Sequence, residues 1–264
     1  MTFSNPLIET RAHVRLSAAL TGFSIALAVL ASAAHIADPR LLDGVPVWAK
    51  PFKFSVSFAA LFATFLWLEN RLSQSWRNGW VVTITISVMA ICFAAEMSYI
   101  FYQAGLAEAS HFNTSTPFHT FMYQVVMFLG ALTLIVGIAV YGAAAALDKN
   151  ADLPPGIRQG VIWGFGLSFL LTLIVAGYMG ANESNHVGIP GPGTGKIPVA
   201  GWSLSGGDLR PAHFLALHAM QVLPVIGWLA DRYKPRRAQR FVILAALGYS
   251  LLTMGVFAAA LSAS

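Results

Sequence analysis

Apolar residues run along this chain in long blocks separated by short polar stretches. Seven blocks, at about 15–37, 52–70, 79–104, 119–147, 159–181, 212–230 and 240–262, are each long enough to cross a hydrocarbon core of about 30 Å as a helix. The apolar/polar alternation of a lipid-facing barrel is absent. Within a bilayer every backbone polar group must be bonded internally, and a helix does this within one segment. The pattern therefore predicts an all-α, polytopic membrane bundle of about seven transmembrane helices. No soluble insert divides the blocks, so a single transmembrane domain over 1–264 is expected.

Composition agrees. Hydrophobic residues make up 56% of the chain and charged residues 10%, against roughly 25% charged in soluble domains, too few to cover a water-facing surface. The net charge is +5, but the cations sit at helix ends and no basic patch is interleaved with aromatics, so nucleic acid is not an expected partner. The lipid bilayer is. Cys92 is the single cysteine, which rules out a disulfide within the chain.

Lysine and arginine set the expected orientation. One side of the membrane receives Arg11, Arg15, Arg71, Arg77, Lys149, Arg158, Arg232, Lys234, Arg236, Arg237 and Arg240; the other receives Arg40, Lys50, Lys53, Lys196 and Arg210. The positive-inside rule then puts the N-terminus in the cytoplasm and the C-terminus outside, and the expected location is the bacterial plasma membrane. Arg11, Arg15 and the small residues Ala31, Ser32 and Ala33 resemble a signal peptide with its cleavage site, but the apolar stretch is longer than such segments carry, and an uncleaved first helix is the reading adopted. The outer segment 182–211 is rich in Gly and Pro and is expected to cap the bundle; its glycine run lacks the Ser or Thr that a phosphate-binding Walker loop needs after Lys196.

The chemistry is one-sided. Of seven histidines, only His13 maps to the inner side; His35, His111, His119, His186, His213 and His218 map to the outer loops and outer helix ends. In the third span Cys92, Glu96, Tyr99 and Gln103 recur at helical spacing on one face, which puts Glu96 roughly 13 Å below the outer end of the helix. A carboxylate at that depth costs about 2.5–3.5 kcal/mol and so has a partner or a task. In the sixth span His218 lies roughly 10 Å deep, with Gln221 on the same face and a kink expected at Pro224. Lys50 is expected to snorkel to the interface, and Lys53 is open to either reading.

These residues define the expected site: Glu96, His218 and Tyr99 as catalytic groups, His119, His213, His218 and Glu96 as metal ligands, with His35, His111 and Gln221 as second candidates. Neutral imidazoles with a carboxylate suit Zn, Fe or Mn, so a transition metal (Zn or Fe) is the expected cofactor, ahead of a b-type haem. The favoured function is a membrane-embedded, metal-dependent enzyme near the outer face, acting on a small molecule or lipid. A proton-coupled transporter using Glu96, a haem oxidoreductase and a non-catalytic scaffold are the alternatives; the transporter suffers from the few polar groups expected in the inner halves of the spans. No outer serine has an obvious His and Asp beside it, so a serine hydrolase is not proposed.

In helix number and histidine content the chain is similar to the seven-helix membrane hydrolases that include alkaline ceramidases and adiponectin-type receptors. That family binds zinc through histidines that include a late H-x-x-x-H pair. His213 and His218 are one residue too far apart for it, and the expected site lies on the opposite face, so no residue role carries over. Microbial rhodopsins attach retinal to a lysine of the last span, and Phe241–Leu261 contains none.

Overall fold

The computed structural model describes residues 12–188, 195, 197, 201–203 and 206–262, the side chains of residues 12–15 excepted. Arg11, Lys196 and parts of the 182–211 segment lie outside the described residues, as do the side chains of His13 and Arg15. Seven helices are long and apolar enough to cross a membrane: α1 (Ala12–Ala37), α2 (Ala49–Glu69), α3 (Trp80–Leu106), α4 (Pro117–Leu147), α5 (Pro155–Ala181), α6 (Arg210–Tyr233) and α7 (Ala238–Leu261). The chain is a multi-pass, all-helical membrane protein. Large apolar side chains such as Phe23, Val29, Ile91, Leu244 and Leu251 stand exposed on the outside of the bundle, where a soluble protein would place charges.

Several helices start earlier than hydropathy alone places them. α2 begins at Ala49 instead of 52, α5 at Pro155 instead of 159, and α6 at Arg210 instead of 212. Each first turn carries a proline, which fits a helix start because its missing N–H would be unpaired there in any case. The charged residues in these turns lower hydropathy without breaking the helix. Thr116 caps α4, its hydroxyl accepting from the His119 amide at 3.2 Å. Asp231 at the end of α6 caps α5, accepting from the amides of Gly156 at 2.7 Å and Ile157 at 2.8 Å.

The core runs between α2, α3, α4 and α5. Phe62 and Phe93 meet edge to face at 5.2 Å, and Phe65 stacks on Tyr141 at 4.1 Å. The largest interface joins α5 to α6. There Gly156, Gly160 and Gly164, spaced one helical turn apart, let the α6 backbone at Gly227, Leu223 and Ala219 approach directly. Pro224 lies inside α6. One turn earlier, the Ser168 hydroxyl of α5 donates to Leu217 O at 2.8 Å and accepts from Met220 N at 2.9 Å, and Tyr249 of α7 donates to Leu215 O at 2.7 Å. Neighbouring helices thus bond the α6 backbone beside His218. α3 packs against α1, α2 and α4; it shares no extensive face with α6, so the similar depths of Glu96 and His218 do not reflect direct packing of the third and sixth spans.

We refer to the two ends of the bundle as the N-terminal end, where α1 starts, and the histidine end. At the histidine end a two-residue turn, Asp43–Gly44, joins the short strands β1 (Leu41–Leu42) and β2 (Val45–Pro46) between α1 and α2. Both turn residues have positive φ, at 51° and 72°, as this hairpin turn requires. Asp38 fastens the hairpin: it accepts from Arg40 and, at 2.8 Å, from the Trp48 indole, and these bonds hold its carboxyl well below the usual carboxylate range. Arg40 also donates to Gly105 O of α3 at 3.0 Å.

Candidate functional site

The first turns of α2 and α6 and the α3–α4 loop meet at the histidine end, and they bring basic groups together. On α2, Lys50 and Lys53 are one turn apart on the same face. Lys50 does not snorkel outward. Its Nζ donates to His111 Nδ1 at 3.0 Å and lies 5.8 Å from the Phe54 ring centroid. His111, in the loop after α3, is also 3.3 Å from Ser110 Oγ and packs against the rings of Phe54, Phe112 and Tyr123. Burial, reinforced by the charge of Lys50 and by His213, holds the His111 imidazole well below its ordinary value, so it is neutral at pH 7. With Nδ1 accepting from Lys50, its proton resides on Nε2.

His213 of α6 is within electrostatic reach of His111 and of His218, and its Nδ1 is buried without a hydrogen-bond partner among the described residues. One turn further, His218 Nδ1 meets Gln221 Oε1 at 3.2 Å, and Gln221 Nε2 donates to Thr64 Oγ1 of α2 at 3.2 Å. Phe214 packs on the His218 ring at 4.2 Å. His218 is thereby tied through Gln221 to α2, not to α3.

Asp208 is a carboxylate within electrostatic reach of Lys53. Arg210 engages it at 2.6 and 2.8 Å, and Ser203 N donates to it at 2.7 Å. Burial opposes ionisation of this carboxyl, but these bonds outweigh it and hold Asp208 below its ordinary value. Lys53 feels both Arg210 and Asp208. Among the described residues, no carboxylate pairs with Lys50. Among the described residues, Lys50, Lys53 and Arg210 gather here, with Arg210 held by Asp208. The N-termini of α2 and α6 add the positive ends of two helix dipoles. Described parts of the 182–211 segment are bonded to one another and to Arg210: Val187 N donates to Gly207 O at 2.8 Å, and Arg210 to Gly201 O at 2.8 Å.

The other expected site residues lie elsewhere. His119 bonds through Nδ1 to Ser115 at 3.0 Å and Thr116 at 3.1 Å, and its Nε2 lies 3.4 Å from Glu108; it belongs to the start of α4. His35 is exposed on the last turn of α1. Glu96, Tyr99 and Gln103 do form one buried face of α3, but that face meets α4. Glu96 lies against Gly130, where an added Cβ would come 2.7 Å from Oε1, and α4 carries a π-helical turn at Met122–Met127 just above. Among the described residues, Glu96 Oε1 and the Tyr99 hydroxyl have no hydrogen-bond partner. Among the described residues, no three His, Cys, Asp or Glu side chains converge as metal ligands would.

Two polar features escape a reading by hydropathy. Lys50 is indistinguishable in sequence from an interfacial anchor. At the opposite end, Glu69 closes α2 and looks like a terminal residue before Asn70 and Arg71, yet it is wholly buried. It accepts from Ser17 of α1 at 2.8 Å and from Tyr141 of α4. Comparison with protein-family models, curated proteins and solved structures finds no match to this chain.

Proposed function

We propose that this membrane protein takes an anionic group, a phosphate or carboxylate carried by a small molecule or lipid, into the cluster at its histidine end. The observation that carries this reading is Lys50, turned inward onto neutral His111, with no carboxylate partner among the described residues. Withdrawing an ammonium from water is costly unless a counter-charge compensates. The N-termini of α2 and α6 point a positive field at the same place. At an effective dielectric constant of about 20, two unit charges 4 Å apart interact by about 4 kcal/mol. The cluster thus attracts an anion and repels a cation on that scale. Neutral His111 and the unpartnered His213 supply groups able to accept or relay a proton beside the bound anion.

The purified protein tests this by thermal shift with phosphate, sulfate and acetate at matched ionic strength. A concentration-dependent rise in Tm is expected, with Lys50→Gln abolishing it and Arg237→Gln, at the other end, leaving it intact. No response to any anion, or an undiminished response in Lys50→Gln, contradicts the proposal. A metal-dependent enzyme is the second reading, supported by the buried Nδ1 of His213 with His111 and His218 near it. Stoichiometric Zn or Fe in the purified protein, lost in His213→Ala, would favour it.

A further inference from the structure

We infer that Glu69 is a proton-loading site at the N-terminal end of the bundle: Tyr141 and Ser17 clamp Oε1, and Oε2 carries an exchangeable proton. The site is separate from the histidine-end cluster and does not depend on what that cluster binds.

The bonding of the carboxyl is lopsided. Both donors, Ser17 Oγ at 2.8 Å and Tyr141 OH, go to Oε1. Oε2 is buried and receives none among the described residues, and the residue is 0% exposed. An ionised carboxylate spreads its charge over two equivalent acceptor oxygens, and leaving one bare in apolar surroundings is heavily penalised. A neutral acid matches the observed asymmetry: Oε1 is the carbonyl oxygen and accepts both bonds, while Oε2 is the hydroxyl. The neighbours are apolar. Phe65 stacks on Tyr141, and Leu68 and Leu72 are fully buried.

Among the described residues the charged and titratable groups acting on Glu69 are Tyr141 from α4 and Arg77 from the short helix Gln74–Arg77 that follows α2. Arg77 makes no ion pair with it; its Nη2 donates instead to Asn70 O at 2.7 Å and Leu72 O at 2.9 Å. Its Nε is buried and unpartnered among the described residues, so a polar group lies on the N-terminal side of Glu69. Toward the histidine end lie Phe62, Phe65, Met89 and Phe93, all fully or almost fully buried. The proton is therefore taken from, and returned to, water at the N-terminal end, the carboxylate and one proton giving the acid. Because the carboxyl joins α1, α2 and α4, loading changes the bonds between three helices: the ionised form accepts more strongly from Ser17 and Tyr141 than the acid does.

Infrared spectroscopy of the full chain in lipid nanodiscs at pH 7 tests the inference. A protonated-carboxyl C=O band is expected that shifts on transfer to D2O, is lost in Glu69→Gln and persists in Glu96→Gln. Tyr141→Phe and Ser17→Ala should each move that band to higher frequency, since each removes a hydrogen bond to the carbonyl oxygen; both keep Glu69 in place if Glu69→Gln does not fold. Loss of a carboxylate band instead of an acid band in Glu69→Gln overturns the inference. So do acid bands that neither Tyr141→Phe nor Ser17→Ala displaces, or a Glu69 band that does not respond to D2O.

Discussion

Replacing Gly160 with alanine should force α5 and α6 apart. A methyl at this position would lie 2.7 Å from Pro224 Cα and 2.8 Å from the Leu223 carbonyl carbon, and would also strike the Leu223 oxygen. Carbon atoms pack best at about 3.5–4.0 Å, so the helices must separate by about 1 Å. The obstructing atoms are backbone and cannot rotate away. Overpacking of this kind costs about 1–3 kcal/mol, and alanine returns only about 0.5–1 kcal/mol through its better helix propensity. A net loss of about 1–2 kcal/mol is expected. Gly166, on the same helix, has nothing within 4 Å of an added Cβ; Gly166→Ala should be neutral or stabilising by up to about 1 kcal/mol. Equilibrium unfolding in mixed detergent micelles, followed by circular dichroism, reads both. The shift of α6 should also loosen the Gln221–Thr64 bond that holds His218 near α2. A Gly160→Ala protein as stable as Gly166→Ala would refute the close approach of the two helices.

Asp231→Ala removes two bonds to the first amides of α5 and a negative charge from that N-terminus; a loss of about 1–2 kcal/mol is expected in the same unfolding assay. His111 makes stability depend on pH. Its folded-state value is depressed, so below about 6.5 the unfolded chain binds a proton that the folded one resists. Stability present above pH 6.5 should fall as pH drops through the folded value, and His111→Gln should flatten that slope between pH 7 and pH 5. A wild-type slope of the opposite sign, or one unchanged in His111→Gln, would show that other groups govern acid stability.

The spans were legible because a bilayer imposes length and apolarity on each one separately, so a block such as 79–104 can be recognised without knowing its neighbours. Helical phase likewise put Glu96, Tyr99 and Gln103 on one buried face. Which helix that face meets is a different kind of information. Depth along two helices says nothing about their lateral order, and Glu96 turned out to face Gly130 of α4 while His218 is tied to Thr64 of α2. His111, His213 and His218 lie at the same end of the bundle, whereas His119 bonds to Ser115 and Thr116 at the start of α4 and His35 is exposed. Lys50 and Glu69 were missed for one shared reason. Each lies at the end of an apolar block, where a charged residue is the default, and only tertiary structure turns it inward. Glu69, Tyr141 and Ser17 also place polar chemistry toward the N-terminal end of the spans, where hydropathy alone predicts little.

Calorimetric titration with two short-chain amphiphiles of equal tail length, one with a phosphate head and one with an uncharged head, tests the central claim most directly. The account predicts measurable binding of the phosphate compound alone, weakening with added salt. It also predicts at least about a tenfold loss in Lys50→Met, as removal of one charge-assisted hydrogen bond worth about 1.5–3 kcal/mol requires. Equal binding of the two amphiphiles, or full affinity in Lys50→Met, would contradict it.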